Sequence, residues 1–224
     1  MGWVFRDRRD AAQRLVAPIK AALGAREAPI ILALPRGGVP LGAVIAQALH
    51  APLDVVLVRK LGLPGQPELA VAAVTDGAQH RIAINQDIAQ AAGLSGADID
   101  ALAEPALAEI ARRRALWQDG RAAIGLGGRT IVLVDDGIAT GASLRAALGW
   151  LQAQGPARVI VAIPVAPRTA LDAIRPLVDQ VICLENPLPF HAVGAHYADF
   201  PQISDAEVSA ALDAQLQTPS HRPP

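Results

Sequence analysis

Short apolar strands alternating with helical segments predict an α/β fold, a mostly parallel sheet flanked by helices. The composition points the same way: 52% of the 224 residues are hydrophobic, yet aromatics reach only 3%. Alanine supplies much of that apolar share, which suits closely packed helices better than a sandwich of large side chains. Three loops of unusual chemistry, 35–39, 59–65 and 135–143, each follow a predicted strand. That is the end at which parallel sheets bind ligands.

Residues 8–23 carry Ala12, Val16, Ile19 and Leu23 at helical spacing and predict an amphipathic helix despite Pro18. A short apolar strand over 30–34 is cut off by Pro35-Arg36-Gly37-Gly38, and Pro40 suits the first turn of a helix running to Leu49. A second buried strand is expected from Leu53 to Val58, followed by a Gly- and Pro-rich loop that begins with Arg59-Lys60. Segments 69–74 and 81–84 flank Asp76-Gly77 and read as a hairpin. Residues 86–120 read as mostly helical, with Ser95 or Asp98 as the N-cap. After the strand over 130–134 come a helix (143–153), a strand (159–163), a short helix (169–174) and a strand (178–184). Ser204 and Glu207 fit a capping box for a last helix to about Leu216. One domain is expected over residues 1–216, with 86–127 as a helical insertion, 185–203 as a small hood and 217–224 as a disordered tail.

The formal net charge of −1 gives no global reason to expect nucleic acid or an anionic membrane as partner. Cys183 is the single cysteine, so no intrachain disulfide can form. Its apolar surroundings, Val181 to Leu184, predict a buried structural thiol and fit a reducing compartment. The opening MGWVFRDRRD lacks the apolar core of a signal peptide, and no long apolar run suggests a span. The expectation is a cytoplasmic protein with no membrane partner.

The stretch TIVLVDDGIATGAS, residues 130–143, carries the chemistry. A strand ends on Asp135 and Asp136, and small residues then open a helix. Amides at a helix N-terminus are unpaired and the helix dipole adds positive charge, so Ala139, Thr140, Gly141, Ala142 and Ser143 suit a phosphate. Neither a Walker A tripeptide nor a dinucleotide glycine pattern is present. Two carboxylates beside a phosphate site would repel it unless they faced hydroxyl donors or a divalent cation. A ribose 5-phosphate offers both a phosphate and adjacent hydroxyls.

Ile131 to Ser143, four apolar residues, two acids and a small-residue loop, resembles the signature of type I phosphoribosyltransferases. The resemblance implies that Asp135 and Asp136 meet the ribose hydroxyls of phosphoribosyl pyrophosphate (PRPP) and, directly or through hydroxyls and water, its Mg²⁺. It implies that 139–143 hold the 5-phosphate. Pro35-Arg36-Gly37-Gly38 is similar to the family's pyrophosphate loop, and Arg59-Lys60 to a position where cations meet the pyrophosphate. Arg36, Lys60, Asp135 and Asp136 are then the catalytic candidates. Over about residues 5–212 the chain resembles a stand-alone branch of uncharacterised "predicted phosphoribosyltransferases". Leu34 to Pro40, Val58 to Gly62, Pro67 to Ala70 and Pro189 to Gly194 carry that likeness.

Ala139 stands where 6-oxopurine enzymes of the family place a third aspartate, which disfavours hypoxanthine or guanine as acceptor. Phe190, His191 and Tyr197, with Phe200, are hood candidates for contact with a nitrogenous base. Glu68 is a weaker acid or base candidate than a turn cap. Arg112-Arg113-Arg114 reads as a solvated helix face, and His50 and His80 show no ligand pattern. The reading is a PRPP- and Mg²⁺-dependent transferase, by family analogy a homodimer. A non-catalytic PRPP-sensing regulator and a metal-dependent hydrolase are the alternatives. A basic stripe through 112–114 and Arg121 would favour a regulator that binds nucleic acid.

Overall fold

A computed structural model describes residues 3–24, 27–75, 81–118 and 124–216, without the side chains of Pro67, Glu68, Arg81, Ala83, Gln118 and Leu216. The Asp76-Gly77 turn, His80, Arg121 and the tail from 217 lie outside the described residues, as does the Glu68 side chain.

The chain forms two compact units. The first takes in the chain through Val55, the stretch ending at Gly141, and the chain from Gln154 onward. Its centre is a five-stranded, wholly parallel sheet of β1 (Ile30–Ala33), β2 (Leu53–Val55), β6 (Thr130–Val134), β7 (Arg158–Val165) and β8 (Gln180–Glu185). The spatial order is β2-β1-β6-β7-β8. Helices α1 (Arg8–Ala22), α2 (Gly38–Leu49) and α7 (Asp205–Leu216) pack along it, α1 touching α2 and α2 touching α7. α6 (Arg168–Ile174) joins β7 to β8. The mostly parallel, helix-flanked sheet is the class that the strand–helix alternation predicts.

The strand order reverses between β1 and β6. The chain steps outward from β1 to β2 and later returns to the other side of β1 as β6, so the connections leave these two neighbours in opposite directions. That switch point opens a crevice beyond their carboxyl ends. β1 and β6 are buried at every position, consistent with the apolar runs Ile30–Ala33 and Ile131–Val134.

The stripe that buries α1 is Ala11, Ala12, Leu15 and Ile19, with Arg8 one turn earlier. It is rotated from the predicted Ala12, Val16, Ile19, Leu23 face; Val16 and Leu23 are only half-buried. Asp7 caps α1 by accepting from the Asp10 amide at 2.7 Å. At α7 the expected capping box is present: the Ser204 hydroxyl accepts from the Glu207 amide at 3.2 Å, and the Glu207 carboxylate accepts from the Ser204 amide at 2.8 Å.

The second unit holds an antiparallel sheet, β3 (Val58–Leu63), β4 (Gln66–Thr75) and β5 (Arg81–Ile84), in that order, with α3 (Gln86–Ala91), α4 (Gly96–Gln118) and α5 (Ala142–Gln152). The expected strand 53–58 therefore divides. β2 stops at Val55, and a new strand of another sheet begins at Val58. Arg59 and Lys60 lie on a strand, not in a loop. The ladder explains why: β3 pairs with β4 from Val58↔Thr75 to Leu63↔Gln66, and shifts of register around Gly62 absorb the irregular sequence. β4 and β5 pair antiparallel as the hairpin reading requires. Ser95 caps α4, accepting from the Asp98 amide at 3.3 Å, and the Asp98 carboxylate answers the Ser95 amide at 2.8 Å.

Candidate active site at the switch point of the sheet

The loops after β1 and β6 are pressed together because neither carries bulk at the contact. The Leu34 amide donates to the Val134 carbonyl at 2.9 Å, continuing the ladder one step past β1. A Cβ on Gly37 would lie 2.1 Å from an Asp136 carboxylate oxygen, and one on Gly38 would lie 2.6 Å from the Val134 carbonyl oxygen. Only glycine fits at either place. The Pro35–Arg36 peptide between the strand and these glycines is cis.

A cleft of about 500 Å³ opens above this contact. Arg36, Asp135 and Asp136 line it together with Arg8, Phe200 and Gln202. The Asp135 carboxylate accepts from the Asp136 amide at 2.9 Å. Asp136 is held from three directions. Arg8 donates to its Oδ2 from Nε at 2.8 Å, and its Nη2 lies in ion-pair contact with the same oxygen, also at 2.8 Å. The Tyr197 hydroxyl donates to its carbonyl at 2.5 Å, and Gly37 lies against its carboxylate. Arg36 is looser, with 3.8 Å between a guanidinium nitrogen and the Asp205 carboxylate.

Burial raises the pKa of both site aspartates above the ordinary carboxylate value. For Asp135 the negative charge of Asp136 adds to the effect, and the rise is large. For Asp136 the Arg8 guanidinium works against burial. The pair is thus a concentrated, poorly solvated negative site that a cation or a row of hydroxyl donors would relieve. Among the described residues no cluster of three or more His, Cys, Asp or Glu could hold a metal alone. The two carboxylates fit Mg²⁺, which commonly takes one or two protein carboxylates and completes its shell with ligand oxygens and water.

Past the aspartates, Gly137 takes φ +152°, and a Cβ there would fall 2.6 Å from a Val193 methyl. Ala139 and Thr140 are exposed, and Gly141 takes the left-handed φ of +71° that turns the chain toward α5. Ala142 and Ser143 are the first residues of that helix. Arg59 and Lys60 are half-exposed and exposed on β3 of the second unit.

The hood candidates separate. Phe190 stacks on His196 with ring centroids 5.3 Å apart, and His191 is exposed. Tyr197 is only 2% exposed, between Phe5 at 5.3 Å and Phe200 at 4.7 Å, with its hydroxyl committed to Asp136. It is a support beneath the aspartates, with no ring face turned outward for a base. The Arg112 and Arg113 guanidiniums both pair with Glu109, and Arg113 also lies over the Trp117 ring. A solvated helix face was expected from the sequence; Arg112 and Arg114 are exposed, whereas Arg113 is half-buried. Cys183 is half-buried, where full burial was expected. It donates to the Glu185 carbonyl, and desolvation pushes its thiol up to about 11.

Arg8, Phe200 and Gln202 are cleft residues that the sequence did not single out as a group. For Arg8 a signal existed. Counting back from Ile19, Leu15 and Ala12, it sits on the buried stripe of α1, an arginine at a core position.

A phosphoribosyl transferase domain model matches residues 7–199. Curated relatives from two strains of Mycobacterium tuberculosis, named "Putative phosphoribosyl transferase Rv0571c" in one and MT0597 in the other, are 43% identical over 211 residues. That match covers 94% of this chain and 46% of each relative, so the chain spans about half the length of the curated relatives it matches. The crystal structure of TT1426 from Thermus thermophilus is similar at a TM-score of 0.82 and 38% identity, covering 93% of this chain and 97% of that one. With the domain matched over most of its length, the chain belongs to the phosphoribosyltransferase family.

Proposed function

We propose that the protein binds PRPP with Mg²⁺ and transfers the 5-phosphoribosyl group to a nitrogenous base, releasing pyrophosphate. The observation that carries this reading is the adjacent, half-buried carboxylate pair, Asp135 and Asp136, at the switch point of the sheet and immediately before a small-residue helix entry. In this reading Asp135 and Asp136 accept hydrogen bonds from the ribose hydroxyls and bear on Mg²⁺ through them or through water. Residues 139–143 hold the 5-phosphate with backbone amides and hydroxyls. Arg36 and the backbone at Gly37 and Gly38 face the pyrophosphate, with Arg59 and Lys60 as further cations.

The reaction forms a bond from a base nitrogen to C1 of the ribose and breaks the C1–oxygen bond. The bonding pair leaves with pyrophosphate, and the base gives up a proton. Mg²⁺, when bound, neutralises phosphate charge and makes pyrophosphate a better leaving group. The protein's own part is to hold the sugar in line, to face the positive charge developing on it with Asp135 and Asp136, and to draw negative charge toward Arg36 and Lys60. Phe190 and His191 remain the proposed base contacts; Tyr197 acts beneath the site. A cytoplasmic homodimer completes the reading, checked by light scattering of the purified protein.

The test is calorimetric titration of PRPP with and without Mg²⁺, then a screen of bases for pyrophosphate release. Magnesium-dependent binding with base-dependent release supports the transferase. Binding without release for any base would turn the reading toward a PRPP-sensing regulator. Phosphate release without any acceptor would turn it toward a hydrolase.

A further inference from the structure

We propose that Arg8 is a positioning residue of this site: it fixes the Asp136 carboxylate and locks it to the segment that closes one side of the cleft. The proposal rests on the ribose-phosphate reading above. Arg8 is 8% exposed, an environment an arginine tolerates only when its donors are used. Its Nε and Nη2 both go to Asp136 Oδ2 at 2.8 Å, and its Nη1 donates to the Pro201 carbonyl at 2.7 Å. The guanidinium carbon lies 3.7 Å from the centre of the Phe200 ring. One planar group therefore joins α1, the end of β6 and residues 200–201.

This arrangement makes the two aspartates unequal. Arg8 holds Oδ2 of Asp136, whereas Asp135 has no ion-pair partner among the described residues. Fixing one carboxylate with a buried cation limits the rotamers it can sample and offsets half of the paired negative charge. The site can thus be preformed without a bound cation. The Tyr197 bond to the Asp136 carbonyl braces the same residue from behind. Loss of Arg8 would free Asp136 to turn while leaving both aspartates chemically intact.

The experiment compares the PRPP dissociation constant with Mg²⁺ by calorimetry in wild type, Arg8→Gln, Arg8→Lys and Leu15→Ala, with thermal unfolding of each. Leu15 is fully buried on the same helix but lies outside the cleft. Its truncation supplies a stability loss without a change at Asp136. Titrations run well below the lowest unfolding midpoint. Arg8→Gln is expected to weaken PRPP binding tenfold to a hundredfold, roughly what loss of an orienting partner costs. Arg8→Lys, which keeps the charge but cannot reach Asp136 and Pro201 together, should lose less. It also serves if the glutamine variant does not fold. Leu15→Ala should bind as wild type does. Equal affinity in wild type and the Arg8 variants, or an equal loss in Leu15→Ala, would overturn the positioning role alone. No binding by wild type would overturn the ribose-phosphate reading and this proposal with it.

Discussion

β6 is buried at all five positions and ends on two carboxylates, one of them held by an arginine, a tyrosine and a glycine. β3 is buried only at Leu61 and carries Arg59 and Lys60, which make no ion pair with any described residue. The first region is fixed by contacts too close to rearrange; the second presents long, solvated cations. A fixed array suits recognition of a sugar, whose hydroxyls have defined directions. Flexible cations suit a pyrophosphate, whose charge is spread over several oxygens. Substitutions in the first region should therefore cost more than those in the second, and four predictions test the difference.

The largest effect is expected for Gly37→Ala, whose Cβ would fall 2.1 Å from the Asp136 carboxylate. PRPP binding should drop below detection in calorimetry, and stability should fall by about 2 kcal/mol or more, because the Asp136 carboxylate must leave its place against Arg8. Lys60→Ala should weaken PRPP binding by only about tenfold, a single exposed charge contact, and Arg59→Ala by less. If Lys60→Ala matched Gly37→Ala, the contrast between a fixed and an adaptable region would fail.

Asp135→Asn should separate stability from binding. The folded protein holds the Asp135 pKa well above its ordinary value. The charged form therefore opposes folding above that raised pKa, and the penalty fades as pH falls through it. The variant should unfold later than wild type at pH 7 to 8, by about 1 kcal/mol, with the gap narrowing on acidification. PRPP affinity should be lost. A destabilised Asp135→Asn protein at pH 8 would contradict the charge accounting.

The smallest effect belongs to the second unit. Arg112 and Arg113 hold the Glu109 carboxyl down at about 2. The stabilisation is present above the ordinary glutamate value and is lost as pH falls from about 4.5 towards 2. For a partly exposed pair it is worth about 0.5 kcal/mol. Glu109→Gln should lower the thermal midpoint slightly at pH 7, not at all near pH 2, and leave PRPP binding unchanged.

The fold class was readable because β1 is apolar throughout, β6 and β7 are apolar past their first residues, Thr130 and Arg158, and helices lie between them. The aspartate pair was readable because its neighbours are local: strand, acids and small-residue turn follow within a few positions. Arg8 was hidden because the partner that buries it, Asp136, is 128 residues away, and within a charged opening its place on the α1 stripe stands out only once that stripe is centred on Leu15. Arg59 and Lys60 were assigned to a loop because local Gly and Pro outweighed pairing with a strand not yet seen. Tyr197 shows the same limit, since an aromatic ring that stacks on a ligand and one that plugs a loop have the same local sequence.

The proposed function stands or falls with a ribose-phosphate site at the Asp135–Asp136 cleft. Titrating PRPP into the wild-type protein with and without Mg²⁺, beside Asp135→Asn/Asp136→Asn, tests it most directly. Binding is expected to saturate, to depend on Mg²⁺ and to disappear in the double variant while that variant stays folded. No heat of binding at millimolar PRPP, or equal binding by the double variant, would contradict it.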